Sequence, residues 1–153
     1  NYTKDHNKIS LDDVLKLTNL TENYNIWELV DQNLSKNSKK TINILNENNL
    51  NTEENILILR TFLSKLKRLK KLKIDLEKNK NIEQVLSSTK PPIFWKEKEI
   101  VKQQLKVKSL SDIKFLIKKI NYLELIIKKN LQASDKILNN FILENLENSN
   151  NLI

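Results

Sequence analysis

Residues 52–78 read TEENILILRTFLSKLKRLKKLKIDLEK, the longest helical pattern in the chain. Apolar side chains recur there every three or four positions, which places them on one side of an α-helix. They are Ile56, Leu59, Phe62, Leu63, Leu66 and Leu69. The stretch therefore predicts one long helix that starts at Thr52 and ends near Lys78.

The sequence upstream of this helix predicts a small acidic domain of three helices, residues 1–50. Ser10 caps the first helix, which runs from Leu11 to about Thr18. Asn25 opens the second and Ser38 caps the third. The apolar side of the second helix comprises Ile26, Trp27, Leu29, Val30 and Leu34. An Asn-rich joint, residues 46–51, separates this domain from the rest of the chain, residues 51–153.

The sequence downstream predicts further helices, so residues 51–153 are expected to form a helical bundle. Asn81 caps a short helix, and the prolines at 91–92 interrupt the helical pattern. Helices then follow from about Ile93 to Lys106, after Ser109 and from Ser134. The helix after Ser109 has a second apolar side, so we expect it to lie centrally in its bundle. That second side comprises Phe115, Tyr122 and Ile126.

The composition excludes several kinds of catalytic site. The chain has no Gly and no Cys, so it can hold neither a Gly-rich phosphate-binding loop nor a thiolate metal site. The single histidine, His6, has no obvious catalytic partner, and Asp12 and Asp13 suit the first turn of a helix. We therefore expect a non-catalytic, all-α protein without a metal or other cofactor.

The charge is unevenly distributed along the chain. Residues 1–59 hold 6 basic and 9 acidic side chains, residues 60–130 hold 20 and 7, and residues 131–153 hold 1 and 3. The partial charges of −3, +13 and −2 sum to the net charge of +8. A basic middle indicates contact with nucleic acid or an acidic protein surface. The alternative is that an AT-rich genome favours Lys codons, which would make this charge a matter of codon usage.

Two groups of side chains are candidates for contact with DNA. Arg60, Lys67 and Lys71 line one flank of the long helix, where a merely solvated face is the alternative. The second group lies in residues 90–98, KPPIFWKEK, where aromatic and cationic side chains alternate as in proteins that bind single strands. Its candidate contacts are Trp95, Lys96 and Lys98. Alternatively, Phe94 and Trp95 fill the core of the bundle.

Residues 90–98 also carry a family resemblance. A basic residue, two prolines, an apolar residue, two aromatics and Lys-x-Lys resemble a stretch in the C-terminal collar domain of the delta subunit of the bacterial DNA polymerase III clamp loader. The preceding helices agree in order, with LKRL at 66–69 and the short helix at 81–88. Downstream, Glu124 and Lys128 are similar to the Glu-x-x-x-Lys of the family and are expected to be structural. The acidic first part resembles the helical lid of an AAA+-type module.

The resemblance implies an assembly function in DNA replication. Delta does not hydrolyse ATP, and its collar packs against the motor and delta-prime subunits of the loader that places the sliding clamp on primed DNA. Its contact with the clamp lies in an N-terminal domain that nothing in this chain matches. By the same resemblance, Trp95, Lys96 and Lys98 can face the template strand. Phe94 is expected to be structural.

Two other functions stay open on the sequence alone. The basic middle is compatible with a free-standing helical nucleic-acid-binding module. The chain is also compatible with an unrelated helical interaction protein. The sequence has no run of about 20 apolar residues and no signal-peptide pattern, so we expect a cytoplasmic protein with no membrane partner.

Overall fold

A computed structural model describes residues 10–79 and 81–147, and over these ranges the chain is built of helices without a β-strand. The all-α prediction is therefore confirmed. No helix in the described ranges has the length and hydropathy of a membrane span. The helices are α1 Leu11–Leu34, α2 Ser38–Glu47, α3 Thr52–Asn79, α4 Ile82–Ser88, α5 Lys98–Val107, α6 Leu110–Lys129, a 3-10 turn Leu131–Ala133, and α7 Ser134–Glu147.

The long helix predicted over residues 52–78 is α3, and it lies at the centre of the bundle. It packs against α1, α4, α5, α6 and α7. Of its predicted stripe, Leu59, Phe62 and Leu66 are fully buried. The Phe62 ring meets Phe141 of α7 edge to face, with ring centroids 5.3 Å apart. Every α-helix except α2 contributes buried apolar side chains to this core.

The helices begin where short polar side chains can satisfy the first backbone amides. Ser10 and Ser109 each form a reciprocal capping box with an aspartate three residues later. The Oδ1 atom of Asn81 accepts hydrogen bonds from two amides at the start of α4. With no glycine in the chain, the turn between α1 and α2 places Lys36 in the left-handed region at φ 65°. Lys36 therefore occupies a backbone conformation that ordinarily favours Gly or Asn.

The described part of the predicted three-helix lid contains two helices rather than three, because α1 continues through the expected break near residue 25. Nothing between Leu11 and Leu34 forces a break, since this stretch contains neither Gly nor Pro. Asn25, expected to cap a new helix, instead donates a hydrogen bond from its Nδ2 atom to Asn48 Oδ1 at 3.2 Å. The cap of α2 is Asn37 rather than Ser38, because Asn37 Oδ1 accepts from the Lys40 amide.

Two further sequence expectations are wrong in detail. The helix predicted from Ile93 starts at Lys98, because residues 94–97 form a turn in which the Glu97 amide donates to the Phe94 carbonyl oxygen. Side chains expected on apolar core faces also lie at the surface. Trp27, Phe115 and Tyr122 are 58%, 61% and 64% exposed. Periodicity located the helix faces that carry these residues but did not show which faces another helix covers.

Four buried or half-buried polar residues join the C-terminal ends of α1 and α5 to α7, and we call them the polar junction: Asn33, Lys36, Lys108 and Asn145. Asn145 Nδ2 donates to Asn33 Oδ1, and Asn33 Nδ2 donates to the Ile142 carbonyl oxygen at 2.9 Å. Lys36 donates to the Asn145 carbonyl, and Lys108 Nζ lies 3.4 Å from Asn145 Oδ1. Through these bonds and its apolar residues from Ile26 onward, α1 shares one core with the downstream helices. The domain boundary between residues 50 and 51 stays a prediction.

Candidate functional site

The aromatic–cationic segment of residues 90–98 is largely an exposed loop held at two buried points. Thr89 donates a hydrogen bond to the Val85 carbonyl oxygen at 2.7 Å, and Ile93 inserts into the core with 6% of its surface exposed. Phe94 and Trp95 are 73% and 76% exposed, so neither ring fills the core. The structural role expected for Phe94 therefore belongs to its neighbour Ile93.

This loop and α3 form the two walls of an open groove of about 770 Å³, which we call the basic groove. Trp27 of α1 also lines it, and Phe94 lies on the loop wall. The cationic side chains that line the groove are Arg60, Lys65, Arg68, Lys71 and Lys90, and Glu97 is the only carboxylate that the described residues contribute to its lining. The groove therefore combines a strongly positive lining with two exposed aromatic rings.

The cations of the groove differ in how firmly they are held. Lys65 Nζ lies 2.7 Å from an Asp31 carboxylate oxygen, which is a short ion pair. Arg68 Nη1 is 3.5 Å from Glu97 Oε2, and its buried Nε atom finds no hydrogen-bond partner among the described residues. Within the same ranges, Lys71 and Lys90 form no ion pair. Lys71, Lys90 and the Nη atoms of Arg60 and Arg68 thus retain donors that an anion in the groove can use.

Arg60 connects the groove to α6 through the predicted Glu124–Lys128 pair. Glu124 Oε1 is 2.9 Å from Lys128 Nζ and 3.2 Å from Arg60 Nε. The hydrogen bond from Lys128, followed by that from Arg60, holds the pKa of the Glu124 carboxyl below its ordinary value. One carboxylate therefore joins α3 to α6 and orients a cation of the groove.

The predicted DNA contacts fall in two places. Arg60 and Lys71 line the groove, as does Phe94, but Lys67 does not. Trp95, Lys96 and Lys98 also lie outside the groove lining. The Lys96 ammonium lies 5.4 Å from the centre of the Trp95 ring, within the range of a cation–π contact.

Three aromatic or cationic residues of the groove were not identified from the sequence: Trp27, Lys65 and Arg68. The position of Arg68 in the groove could be predicted from spacing. One face of α3 carries residues at intervals of 4, 4 and 3 positions: Arg60, Ser64, Arg68 and Lys71. Trp27 carries no such signal. Its approach to residues 90–94 results from the packing of α1 on α3, which local sequence does not encode.

A second surface lies on α6, on the side away from its buried residues. Its members recur at intervals of 3, 4, 3 and 4 residues, the spacing of the a and d positions of a coiled coil. All are exposed, and we call them the α6 seam: Phe115, Lys118, Tyr122, Leu125 and Lys129. The exposed side chains of Lys114 and Lys128 flank it. An apolar, basic seam of this kind fits a helix with acidic side chains beside its own apolar stripe.

The remaining polar candidates have structural roles or lie outside the described residues. Asp13 accepts from the Ser10 hydroxyl at 2.8 Å and completes the first capping box. Asp12 lies in the first turn of the same helix. In residues 10–79 and 81–147 no three His, Cys, Asp or Glu side chains are grouped as a metal site would need. His6 lies outside the described residues.

Comparisons with protein-family models, curated proteins and solved structures find no match for this chain. Support for a function therefore comes from its own residues, their geometry and the motif order in its sequence.

Proposed function

We propose that this chain is the lid and collar of a non-catalytic clamp-loader subunit similar to delta. It acts in DNA replication, and its collar helices pack against the motor and delta-prime subunits of the loader. The sliding clamp is contacted by another part of such a subunit. No ATP hydrolysis is assigned to this chain, because its sequence contains no Gly for a phosphate-binding loop.

The α6 seam is the observation that carries the assembly function. The same helix buries Ile113, Leu116, Ile120 and Ile127 in the bundle and displays Phe115, Tyr122 and Leu125 on its outer side. Apolar stripes on two sides of a helix indicate that both sides pack against other helices. The lysines of the seam oppose self-pairing, since a second copy would bring like charges together. The fitting partner is therefore a helix of another protein with acidic flanks.

The exposed loop supports the proposed place of DNA in the assembly. Trp95 with Lys96 and Lys98 is available for a template strand, and Arg60, Lys67 and Lys71 supply positive charge along α3. Replacing Trp95 with Ala should weaken binding of primed DNA by the assembled loader and leave the fold of the chain intact. Unfolding of that variant would show that Trp95 is a core residue.

Reconstitution with loader subunits tests the assembly function. We expect the full-length protein that carries this chain to elute from a sizing column together with the motor and delta-prime subunits of its own cells. Tyr122→Lys should weaken this association about tenfold or more, because it adds a charge at the middle of the seam. Leu143→Lys, at another exposed apolar position, is the matched control.

Failure of the wild-type protein to associate with any loader subunit would contradict the proposal. If Tyr122→Lys left the association unchanged, the interface would lie elsewhere on the protein and not on the α6 seam. A free-standing nucleic-acid-binding module predicts a different result, in which the protein binds DNA, with an affinity that falls steeply as salt rises, but associates with no loader subunit. An unrelated interaction protein would do neither.

A further inference from the structure

We infer that the basic groove between α3 and residues 89–97 binds a short stretch of single-stranded polynucleotide. Bases stack on Trp27 and Phe94, and phosphates are held by Arg60, Arg68, Lys71 and Lys90, all of which line the groove. The site shares Arg60 and Lys71 with the DNA contacts proposed above, but it does not depend on assembly with loader subunits. It is also separate from Trp95, which does not line the groove.

The cations follow the length of the groove. Arg60, Arg68 and Lys71 lie on one face of α3 and extend over about 16 Å of the helix axis. Lys90 lies on the loop wall across from this row. A strand that runs along α3 therefore meets positive charge at several successive phosphates.

The electrostatic state of the groove favours an anion. Among the described residues, the lining has five basic side chains and the carboxylate of Glu97, while Asp31 and Glu124 outside the lining pair with Lys65 and Arg60. Arg68 is held only by a 3.5 Å contact to Glu97 while its Nε atom lacks a partner among the described residues. A phosphate offers the guanidinium several acceptor oxygens, which a single distant carboxylate does not. The Glu97 carboxylate is therefore the lining group that repels an anionic ligand.

The aromatic rings select the class of polyanion. Trp27 and Phe94 expose 58% and 73% of their surface although large apolar side chains are ordinarily buried. A polynucleotide brings one phosphate and one flat base in every repeat, so it matches both the cationic row and the rings. An acidic peptide brings carboxylates without a regular series of flat faces. The groove thus fits a single strand better than a peptide.

Binding of a fluorescent oligothymidylate of about ten nucleotides to the purified chain tests the inference. Trp27→Ala and Phe94→Ala should each weaken binding about five- to 150-fold, the range for loss of one stacked base. Tyr24→Ala, an exposed aromatic on α1 outside the groove lining, is the control and should leave affinity unchanged. Circular dichroism establishes that each variant is folded.

Salt dependence and a gain of affinity provide two independent measurements. Lys71→Gln should reduce the slope of log affinity against log salt by about 0.7, the value for one phosphate contact to a single strand, whereas Lys114→Gln on α6 should not. Glu97→Gln should tighten binding about two- to fivefold, because it removes the opposing charge and releases Arg68. Glu97 forms no side-chain cap on α5, so this substitution spares the helix start.

Three results would overturn the inference. The first is undiminished binding by both groove aromatic variants while Trp95→Ala weakens it. The second is polyglutamate binding as tight as that of the oligonucleotide. The third is no measurable binding of the oligonucleotide at low salt, where phosphate contacts are strongest.

Discussion

The polar junction and the basic groove both contain lysines, but the two regions use them in opposite ways. Lys108 of the junction is 3% exposed and shares Asn145 with Lys36 and Asn33. Lys71 of the groove is exposed and has no ion pair in the part of the chain that the structure describes. Burial, with a smaller effect of the nearby Lys36, lowers the pKa of Lys108 to about 8.

The difference separates cations that codon usage alone can explain from cations that the fold constrains. A surface lysine costs the fold little, so a Lys-rich genome can place one at almost any exposed position. A buried lysine carries a desolvation cost and persists only where hydrogen bonds compensate for it. Removing a partner should therefore harm the junction, whereas the same kind of change in the groove should affect ligand binding without affecting stability.

Asn145→Ala, in the polar junction, should cause the largest loss of stability. It removes an acceptor of Lys108 and the donor to Asn33, leaving buried polar groups without partners. We expect the free energy of unfolding to fall by about 2 to 4 kcal/mol, measured by urea denaturation. Asn140→Ala, at an exposed position on the same helix, should change it by less than about 0.5 kcal/mol. Equal effects of the two substitutions would remove the distinction between the regions.

Raising the pH should stabilise the protein through Lys108. Its pKa is about 8 when folded and takes its ordinary value of 10.5 when unfolded, so the unfolded state holds more protons between these values. The free energy of unfolding should therefore rise from pH 8 toward 10.5, by on the order of 3 kcal/mol at most from this group. The charged groups facing Lys108 are Lys36 and Asp112.

Lys108→Met isolates this contribution, because Lys36 and Asp112 remain. Urea denaturation at several pH values should show a smaller rise for Lys108→Met than for the wild type. Parallel curves would show that Lys108 is not the titrating group.

Glu124→Gln should lower the free energy of unfolding by an intermediate amount, because Glu124 links the groove residue Arg60 to α6. Loss of its ion pairs with Lys128 and Arg60 should cost about 0.5 to 1 kcal/mol at neutral pH. Its pKa is lowered on folding, so this stabilisation is present above the ordinary value of 4.5 and is lost as the pH falls through the folded value. The two proteins should therefore converge in acid, and Glu47→Gln should show no such difference at either pH. A difference that persists in acid would mean that packing, not charge, is responsible.

Phe94→Ala should have the smallest effect on stability, within about 0.5 kcal/mol, because its ring is at the surface. The adjacent Ile93→Ala should cost about 2 to 4 kcal/mol, because Ile93 is the buried anchor of the loop. Thermal unfolding of the Phe94→Ala and Ile93→Ala variants compares an exposed side chain proposed to bind a ligand with a buried one that stabilises the fold. A large loss with Phe94→Ala would assign its ring to the core.

Helix starts were predictable from the sequence where the signal is local. Ser10 and Ser109 cap helices as expected, and α7 begins at the predicted Ser134. Asn25 shows the limit of such signals, since the same amide can cap a helix or bond to a distant residue. In the folded protein it bonds to Asn48, and α1 continues.

Most of the candidate site could not be predicted, because it depends on which helix faces meet. The sequence identified Arg60, Lys71 and residues 90–98 as candidates. The proximity of Trp27 to these residues could not be predicted, because it results from the packing of α1 on α3. Nor could it distinguish Lys108 from the other lysines, because its burial arises from the meeting of α5 with the ends of α1 and α7.

The uninterrupted course of α1 has a mechanical consequence. Its 24 residues extend about 36 Å as a single rod, and its buried side chains begin only at Ile26. The described side chains from Leu11 to Tyr24 are exposed. Among the described residues, α1 enters the core only from Ile26 onward. Because a helix transmits rotation along its axis, a change in the packing angle of that part would displace Leu11 further than Ile26.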